Sequence, residues 1–259
     1  MTLFALPGIP LVKPGDDPGG LIVEALETAG LMLESRDVVA VTSKIVSKAE
    51  GRLVRLADVY PSARARRIAA RCRKDPRLVQ VILDESQKVS RLRPGLIIVK
   101  HRLGFVCANA GVDRSNVQPP QPDGDPVVAC GESVLLLPAN PDRSAAKLRQ
   151  QLGAATGVDV AVVIVDSHGR AHRMGTVGVA VGAAGLPALE DWRGRQDLFG
   201  RPLEHTAVGL ADQIASAASL LMGQAAEGTP VVLVRGVPFS PREGTAADLV
   251  RPPELDLYS

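Results

Sequence analysis

Val162-Val163-Ile164-Val165-Asp166-Ser167-His168-Gly169-Arg170 decides how this chain is read. The run Val158 to Val165 is its most hydrophobic strand, and four β-branched residues in succession favour buried, extended backbone. The apolar run stops at Asp166, so this carboxylate is expected at a sheet end, with the Ser167 hydroxyl beside it. Outward from this strand, helices and strands follow one another without a regular β-α-β cadence. Thr2 to Leu6 reads as a strand, and Leu21, Ile22, Ala25, Leu26 and Ala29 recur at helical spacing before a stop at Gly30. Asp37 to Val41 is a buried strand leading into Thr42-Ser43-Lys44. Ser62 and Asp75-Pro76 open two helices, and Leu96 to Lys100 pairs with Phe105 to Ala108 around Arg102-Leu103-Gly104.

Gln118 to Asp125, rich in proline and aspartate, reads as a loop. Val127 to Leu137 returns to strand-like sequence. Asp142 or Ser144 is expected to cap a helix carrying Ala145, Leu148 and Leu152, with Gly153 after it. Gly175 to Gly185 is a glycine-spaced apolar stretch. Thr206 is expected to cap a helix whose apolar face holds Ala207, Leu210, Ala211, Ile214, Ala218, Leu221 and Met222, before a last strand at Val231 to Val234. The pattern predicts an α+β fold of mixed sheets with packed helices rather than a doubly wound sheet. Residues 1–239 read as one module with an internal boundary near 118–126, which leaves room for two subdomains, and residues 240–259 as a polar tail.

With 259 residues, 46% apolar and 22% charged, the chain can bury a full core, although aromatics make up only 3%. A net charge of +2 and few aromatics argue against nucleic-acid binding. Cys72, Cys107 and Cys130 lie far apart and form no CxxC, so buried free thiols in a reducing compartment are expected, not zinc or disulfides. The N-terminus lacks a basic start and a long apolar core, and no apolar run approaches the ~20 residues of a membrane span. A cytoplasmic location with no membrane contact is expected.

A second aspartate stands in Ala108-Asn109-Ala110-Gly111-Val112-Asp113-Arg114-Ser115-Asn116-Val117. Taken alone, Asp113 is more often an Asx-turn residue than a ligand, and turn aspartates also sit where Asp166 does. Paired at strand ends, two carboxylates can hold divalent metal against phosphate oxygens, and Mg²⁺ commonly uses one or two carboxylates plus phosphates. Lys44 and Lys48 can meet phosphates as point charges and Ser43 can donate to one; exposed lysines on a helix start fit the spacing equally well. No GxxxxGK[ST] or GxGxxG is present, and Gly175, Gly178, Gly182 and Gly185 read as close sheet packing. Arg64, Arg66, Arg67, Arg71 and Arg73 read as a solvated helix face. His168 and His172 follow a strand and a glycine and are not read as a metal pair.

In order, these segments resemble the F420-0 γ-glutamyl ligase (coenzyme F420-0:L-glutamate ligase) family. The matching stretches are Gly8-Ile9-Pro10-Leu11, Val41 to Gly51, Asp84-Glu85-Ser86, Asn109 to Val117, Leu135 to Pro138, Val165 to Arg170, Asp191-Trp192, Asp197 to Arg201, Leu220 to Gly223 and Val234 to Gly236. The resemblance implies an unusual α+β fold, an intertwined homodimer and GTP-dependent joining of L-glutamate to the carboxylate of F420-0, followed by further γ-linked glutamates. It implies two divalent cations, Mg²⁺ or Mn²⁺, together with K⁺. By position, Asp113, Asp166 and Lys44 are the catalytic residues, and Asp113, Asp166, Ser167 and Met222 the metal ligands. Ile9, Pro10, Leu11, Val12, Ser43, Lys44, Lys48, Asn116 and the run Leu220, Leu221, Met222, Gly223, Gln224, Ala225, Ala226 and Glu227 would contact GTP. Ser167 stands where relatives commonly have threonine, and Gln213 and Gln224 where they often carry glutamate. The resemblance is to the unfused form, without the C-terminal nitroreductase-like domain of some bacterial relatives. A ligase for another carboxylate and an inactive GTP-binding module remain alternatives at this point.

Overall fold

Strands too apolar to alternate need cover on both faces, and the molecule is built to give it. The computed structural model describes residues 1–117, 132–240 and 242–255. The loop and boundary expected near 118–126, residues 127–131 of the strand-like run and Cys130 lie outside the described residues. In chain order the elements are β1 (Thr2–Leu6), α1 (Pro18–Thr28), β2 (Val38–Thr42), α2 (Ser43–Ala49), β3 (Leu53–Arg55), α3 (Ala63–Cys72), α4 (Pro76–Asp84), β4 (Ser86–Arg93), β5 (Leu96–His101), β6 (Val106–Ala108), β7 (Ser133–Leu135), α5 (Pro141–Thr156), β8 (Ala161–Arg170), β9 (Arg173–Ala184), β10 (Glu190–Asp191), β11 (Ala207–Val208), α6 (Leu210–Met222) and β12 (Val231–Arg235). Short 3-10 turns cover Leu56–Asp58, Asn109–Gly111, Ala246–Leu249 and Pro253–Leu255. The α+β expectation holds.

The main sheet has the order β1-β12-β2-β8-β9, with β2 and β8 parallel and the other neighbours antiparallel. Strand alternation divides its side chains between two cores. Val39, Val41, Val162, Ile164, Val231 and Leu233 pack with residues of α1, α2 and α5 on one face. Val38, Ala40, Val163, Val165, Val232 and Val234 pack with α6 on the other. The glycines of β9 allow this close approach. A Cβ on Gly178 would lie 2.4 Å from the Ala215 carbonyl oxygen of α6, and one on Gly182 2.5 Å from Pro141 of α5. The edge of β9 is covered by carboxylates from those two helices. Asp212 accepts from Ala180 N–H at 2.8 Å, and Asp142 from Ala183 N–H at 2.9 Å and Ala246 N–H at 2.8 Å.

Asp142 therefore does not cap α5, contrary to the expectation. Pro141 takes the first helical position and the Asn140 side chain accepts from Arg143 N–H at 3.0 Å. The helix also runs through Gly153, whose cost of about 1 kcal/mol does not stop a packed helix, and ends at Gly157 with φ 72°. Thr206 is likewise not a cap. Its carbonyl accepts from Trp192 N–H in the β10–β11 hairpin, Ala207 lies in β11, and α6 starts after Gly209. Leu221 is not on the buried face of α6; Ala215 is. Ser62 and Asp75 cap α3 and α4 as expected. The strand expected from Val158 starts at Ala161 and continues past Asp166 to Arg170.

Beside the main sheet, α3, α4 and the sheet β4-β5-β6 enclose a third core containing Ala65, Cys72, Val79, Ile82, Ile97 and Val99. Its polar anchor is Glu85, 8% exposed, which accepts two bonds from Arg52 at 3.1 Å and one from Arg102 at 2.7 Å. Burial alone would push the Glu85 carboxyl up, but His101, Arg102 and Arg52 outweigh it and bring it down from 4.5 to about 2. A carboxyl whose folded pKa is depressed stabilises the fold above its unfolded pKa and loses that contribution as pH falls through the folded one. The two values correspond to about 3 kcal/mol, lost between roughly pH 4.5 and 2. Urea unfolding at pH 7 and pH 3 should show this loss in the parent, and Glu85→Gln should be weaker at pH 7 and less sensitive to acid over that window. An unchanged pH dependence in Glu85→Gln would refute the assignment.

Candidate functional site

Four segments singled out in the sequence meet at one edge of the main sheet, because strand direction sends them there. The carboxyl ends of β1 and β2 and the amino end of β12 share an edge, since Leu6 pairs with Val231 and Val231 with Val41. The parallel register Thr42↔Val165 brings Ser43 level with Asp166. Ile9 to Val12 follow β1, Ser43 and Lys44 open α2, and residues 220–227 end α6 and precede β12. Ligands of open sheets containing parallel strands commonly bind at such carboxyl ends.

Asp166 is not the end of its strand. The β8–β9 ladder continues through Asp166↔Val179 to Gly169↔Thr176, so the carboxylate projects from a two-stranded ribbon. Ser43 Oγ donates to Asp166 Oδ1 at 3.0 Å, and His168 Nε2 lies 3.0 Å from Oδ2. Strand alternation turns the exposed Ser167 side chain to the opposite face from Asp166.

Asp113 arrives from the third core. Asn109, Ala110 and Gly111 have φ of 50°, 55° and 62°, a left-handed run in which only the glycine is at ease. Backbone bonds in both directions between Asp113 and Leu135, each 2.9 Å, fix the loop after this run. Its Oδ2 is ion-paired to Lys44, and its Oδ1 accepts from Ser115 N–H at 2.7 Å and Oγ at 2.8 Å. Burial would raise the Asp113 pKa, but Lys44 and Ser115 outweigh it and lower it, keeping the group ionised. Consecutive residues, Ser43 and Lys44, thus hold the two carboxylates that stand more than fifty residues apart in sequence. Lys48, one turn on, has its pKa lowered by burial and then by Lys44. Burial and then the Asp166 charge push Cys107 up to about 12, so this thiol is no nucleophile at neutral pH.

Asn116 Nδ2 donates to the Ala225 carbonyl at 2.8 Å, tying the Asp113 loop to the segment 220–227. Within that segment Glu227 accepts from Ala225 N–H at 2.8 Å. Met222 is buried in the α6 core, and its carbonyl lies 3.4 Å from Thr229 Oγ1. Gln224, Ala225 and Ala226 are exposed, as are Pro10 and Leu11, whereas Val12 is buried beside α1 and α2. Gln213 is exposed in the first turn of α6. His172 sits in the ribbon turn with φ 60°, Arg64, Arg66, Arg67 and Arg71 are exposed on α3, and Arg73 is exposed just after it.

Among the described residues, no three or more His, Cys, Asp or Glu are grouped to hold a metal by themselves. Two ionisable carboxylates beside a lysine still suit hard cations that complete their shell with phosphate oxygens. Sequence reasoning missed Ser115 and His168 as partners of these carboxylates. The strand period of two would have put Asp166 and His168 on one face, had the strand been carried past Asp166.

Residues 8–236 match the sequence family described as F420-0:Gamma-glutamyl ligase. The chain belongs to that ligase family. Similar family members include the coenzyme F420:L-glutamate ligase of Methanothermobacter thermautotrophicus, 45% identical over 100% of this chain and 98% of the relative. Those of Methanopyrus kandleri, 47% identical over 95% and 93%, and Archaeoglobus fulgidus, 43% identical over 99% and 96%, bear the same name. No helix among the described residues is long and apolar enough to cross a membrane.

Proposed function

We propose that this chain is a GTP-dependent ligase that joins the carboxylate of coenzyme F420-0 to the amino group of L-glutamate and then adds further γ-linked glutamates. The observation that carries the reading is the family match over residues 8–236, supported by the meeting of Asp113, Asp166, Ser43 and Lys44 at one sheet edge. A carboxylate is inert toward amines at neutral pH. Transfer of the γ-phosphoryl group of GTP to it breaks the bond to GDP and forms an acyl phosphate. The glutamate amine, having lost its proton, attacks that carbon, forms the amide and releases phosphate.

The protein's part is alignment of anions and neutralisation of their repulsion. Ser43, Lys44 and Lys48 bind phosphates, with backbone groups of Ile9 to Val12. Asn116 and residues 220–227 hold the nucleotide and close over it. Asp113 and Asp166, with Ser167 and the Met222 carbonyl, would hold two divalent cations, Mg²⁺ or Mn²⁺, accompanied by K⁺, which supply positive charge against the phosphates. Fifteen Lys and Arg against five Asp and Glu between residues 52 and 117 give the adjoining body a positive field suited to polyanionic substrates. The enzyme acts as a homodimer, in keeping with the exposed apolar tip of Leu198 and Phe199.

Purified protein with F420-0, L-glutamate, GTP and Mg²⁺ or Mn²⁺ should give products heavier by one or more glutamyl units, with GDP and phosphate released in step. No mass gain with either metal overturns the reading. Turnover with a different acid would point to another carboxylate, and GTP binding without turnover to an inactive module.

A further inference from the structure

We infer that His168 is a positioning residue that fixes the rotation of the Asp166 carboxylate for metal, an inference that rests on the metal-dependent reading above. A carboxylate that accepts a bond at only one oxygen can still turn about its Cβ–Cγ bond. Asp166 is held at both: Ser43 Oγ donates to Oδ1 and His168 Nε2 meets Oδ2, each at 3.0 Å. A carboxylate oxygen accepts, so in this pair Nε2 takes the donor's place. Each oxygen keeps a further lone pair, and the plane of the group is set before an ion arrives.

The imidazole is itself held. His168 and Asp166 are two apart on β8 and project from one face of the ribbon, and both side chains are about 15% exposed. The Phe105 ring lies 5.3 Å from the His168 ring at 49°, and its other neighbour is the fully buried His101 ring, 5.2 Å away and nearly parallel. His101 is fixed in turn by Leu103 N–H, which donates to its Nδ1 at 3.0 Å. A chain of packed rings thus runs from the third core to the carboxylate, which is how partners behind a metal ligand usually orient it.

His168→Phe keeps a ring against Phe105 and removes the donor, whereas His168→Gln keeps an N–H donor at similar reach. The test is Mn²⁺ binding to the full-length protein with GDP, followed by the loss of the free-ion EPR signal, with melting temperature as the check on folding. Groups behind metal ligands typically change affinity about 10- to 100-fold when removed. His168→Phe should raise the Mn²⁺ concentration for half-saturation at least about tenfold and raise the metal requirement of turnover in parallel, with His168→Gln close to the parent. If the parent binds Mn²⁺ and His168→Phe binds it equally well, the inference is wrong. If both variants weaken alike, the ring's shape and not its hydrogen bond matters, which also overturns it. A parent that binds no Mn²⁺ defeats the metal reading itself, a result separate from either of these. A large fall in melting temperature for His168→Phe with normal Mn²⁺ binding would assign His168 to the fold and overturn the inference.

Discussion

Asp113→Ala and Asp166→Ala should each lower turnover at least about a thousandfold while the protein stays folded. Metal-held charge contributes several kcal/mol to a phosphoryl-transfer transition state, and about 1.4 kcal/mol corresponds to each factor of ten. Neither aspartate supports the fold alone. The Asp166 carboxylate meets only side chains, those of Ser43 and His168, while its backbone stays in the β8–β9 ladder, and the Asp113 loop keeps its two backbone bonds to Leu135 without the carboxylate. Steady-state kinetics with circular dichroism of each variant checks this. Activity within tenfold of the parent in either one removes that aspartate from the metal assignment.

Asp37→Ala should do the reverse, lowering stability by about 3 kcal/mol with turnover at 25 °C unchanged. Asp37 is 1% exposed at the opposite edge of the same sheet, where β2 begins and β12 ends. It accepts from Arg235 Nε at 3.0 Å and Nη2 at 2.8 Å, and from Glu34 N–H at 2.8 Å. Removing it strands a guanidinium beside buried backbone, although Arg235 keeps Glu34 and the Met32 carbonyl. For a chain of this size the melting temperature should fall by about 6 to 12 °C. Scanning calorimetry and an activity assay on one sample check both halves, and a fall in turnover below the melting range would show that the two edges are not independent. The expected result assigns chemistry to one edge of the sheet and stability to the other.

The strands were legible because they are apolar runs long enough to outweigh local ambiguity. Val38, Val39, Val162, Val163, Val231 and Val232 need burial on both faces, and a sheet covered by helices gives it. Helix starts were less legible. Asp142 and Thr206 have the residue type of a cap, but the Asp142 carboxylate is taken by Ala183 and Ala246 N–H, and the Thr206 backbone is held in the β10–β11 hairpin by Trp192. The end of β8 was misjudged because the apolar run stops where core burial stops, while the ladder goes on as a ribbon in solvent. That error hid His168. The pairing of Asp166 with Ser43 was not readable at all, because it depends on a parallel register between strands 123 residues apart, and that of Asp113 with Lys44 depends on how the loop bonded to Leu135 is carried to α2. The ordered family motifs supplied the residues, and only the folded chain brings them together.

The pairing of β1 with β12 has a consequence for how the protein is made. Thr2 faces Arg235 and Leu6 faces Val231, so β1 pairs with a strand made more than two hundred residues after it. At roughly 5 to 20 residues per second, β1 waits on the order of 10 to 50 seconds for its partner. Through that interval Leu3, Phe4 and Leu6 have no sheet to join, and a nascent chain with an open apolar strand is a natural client for chaperones. The sheet edge that carries Ser43 and Lys44 is not complete until β12 has been made.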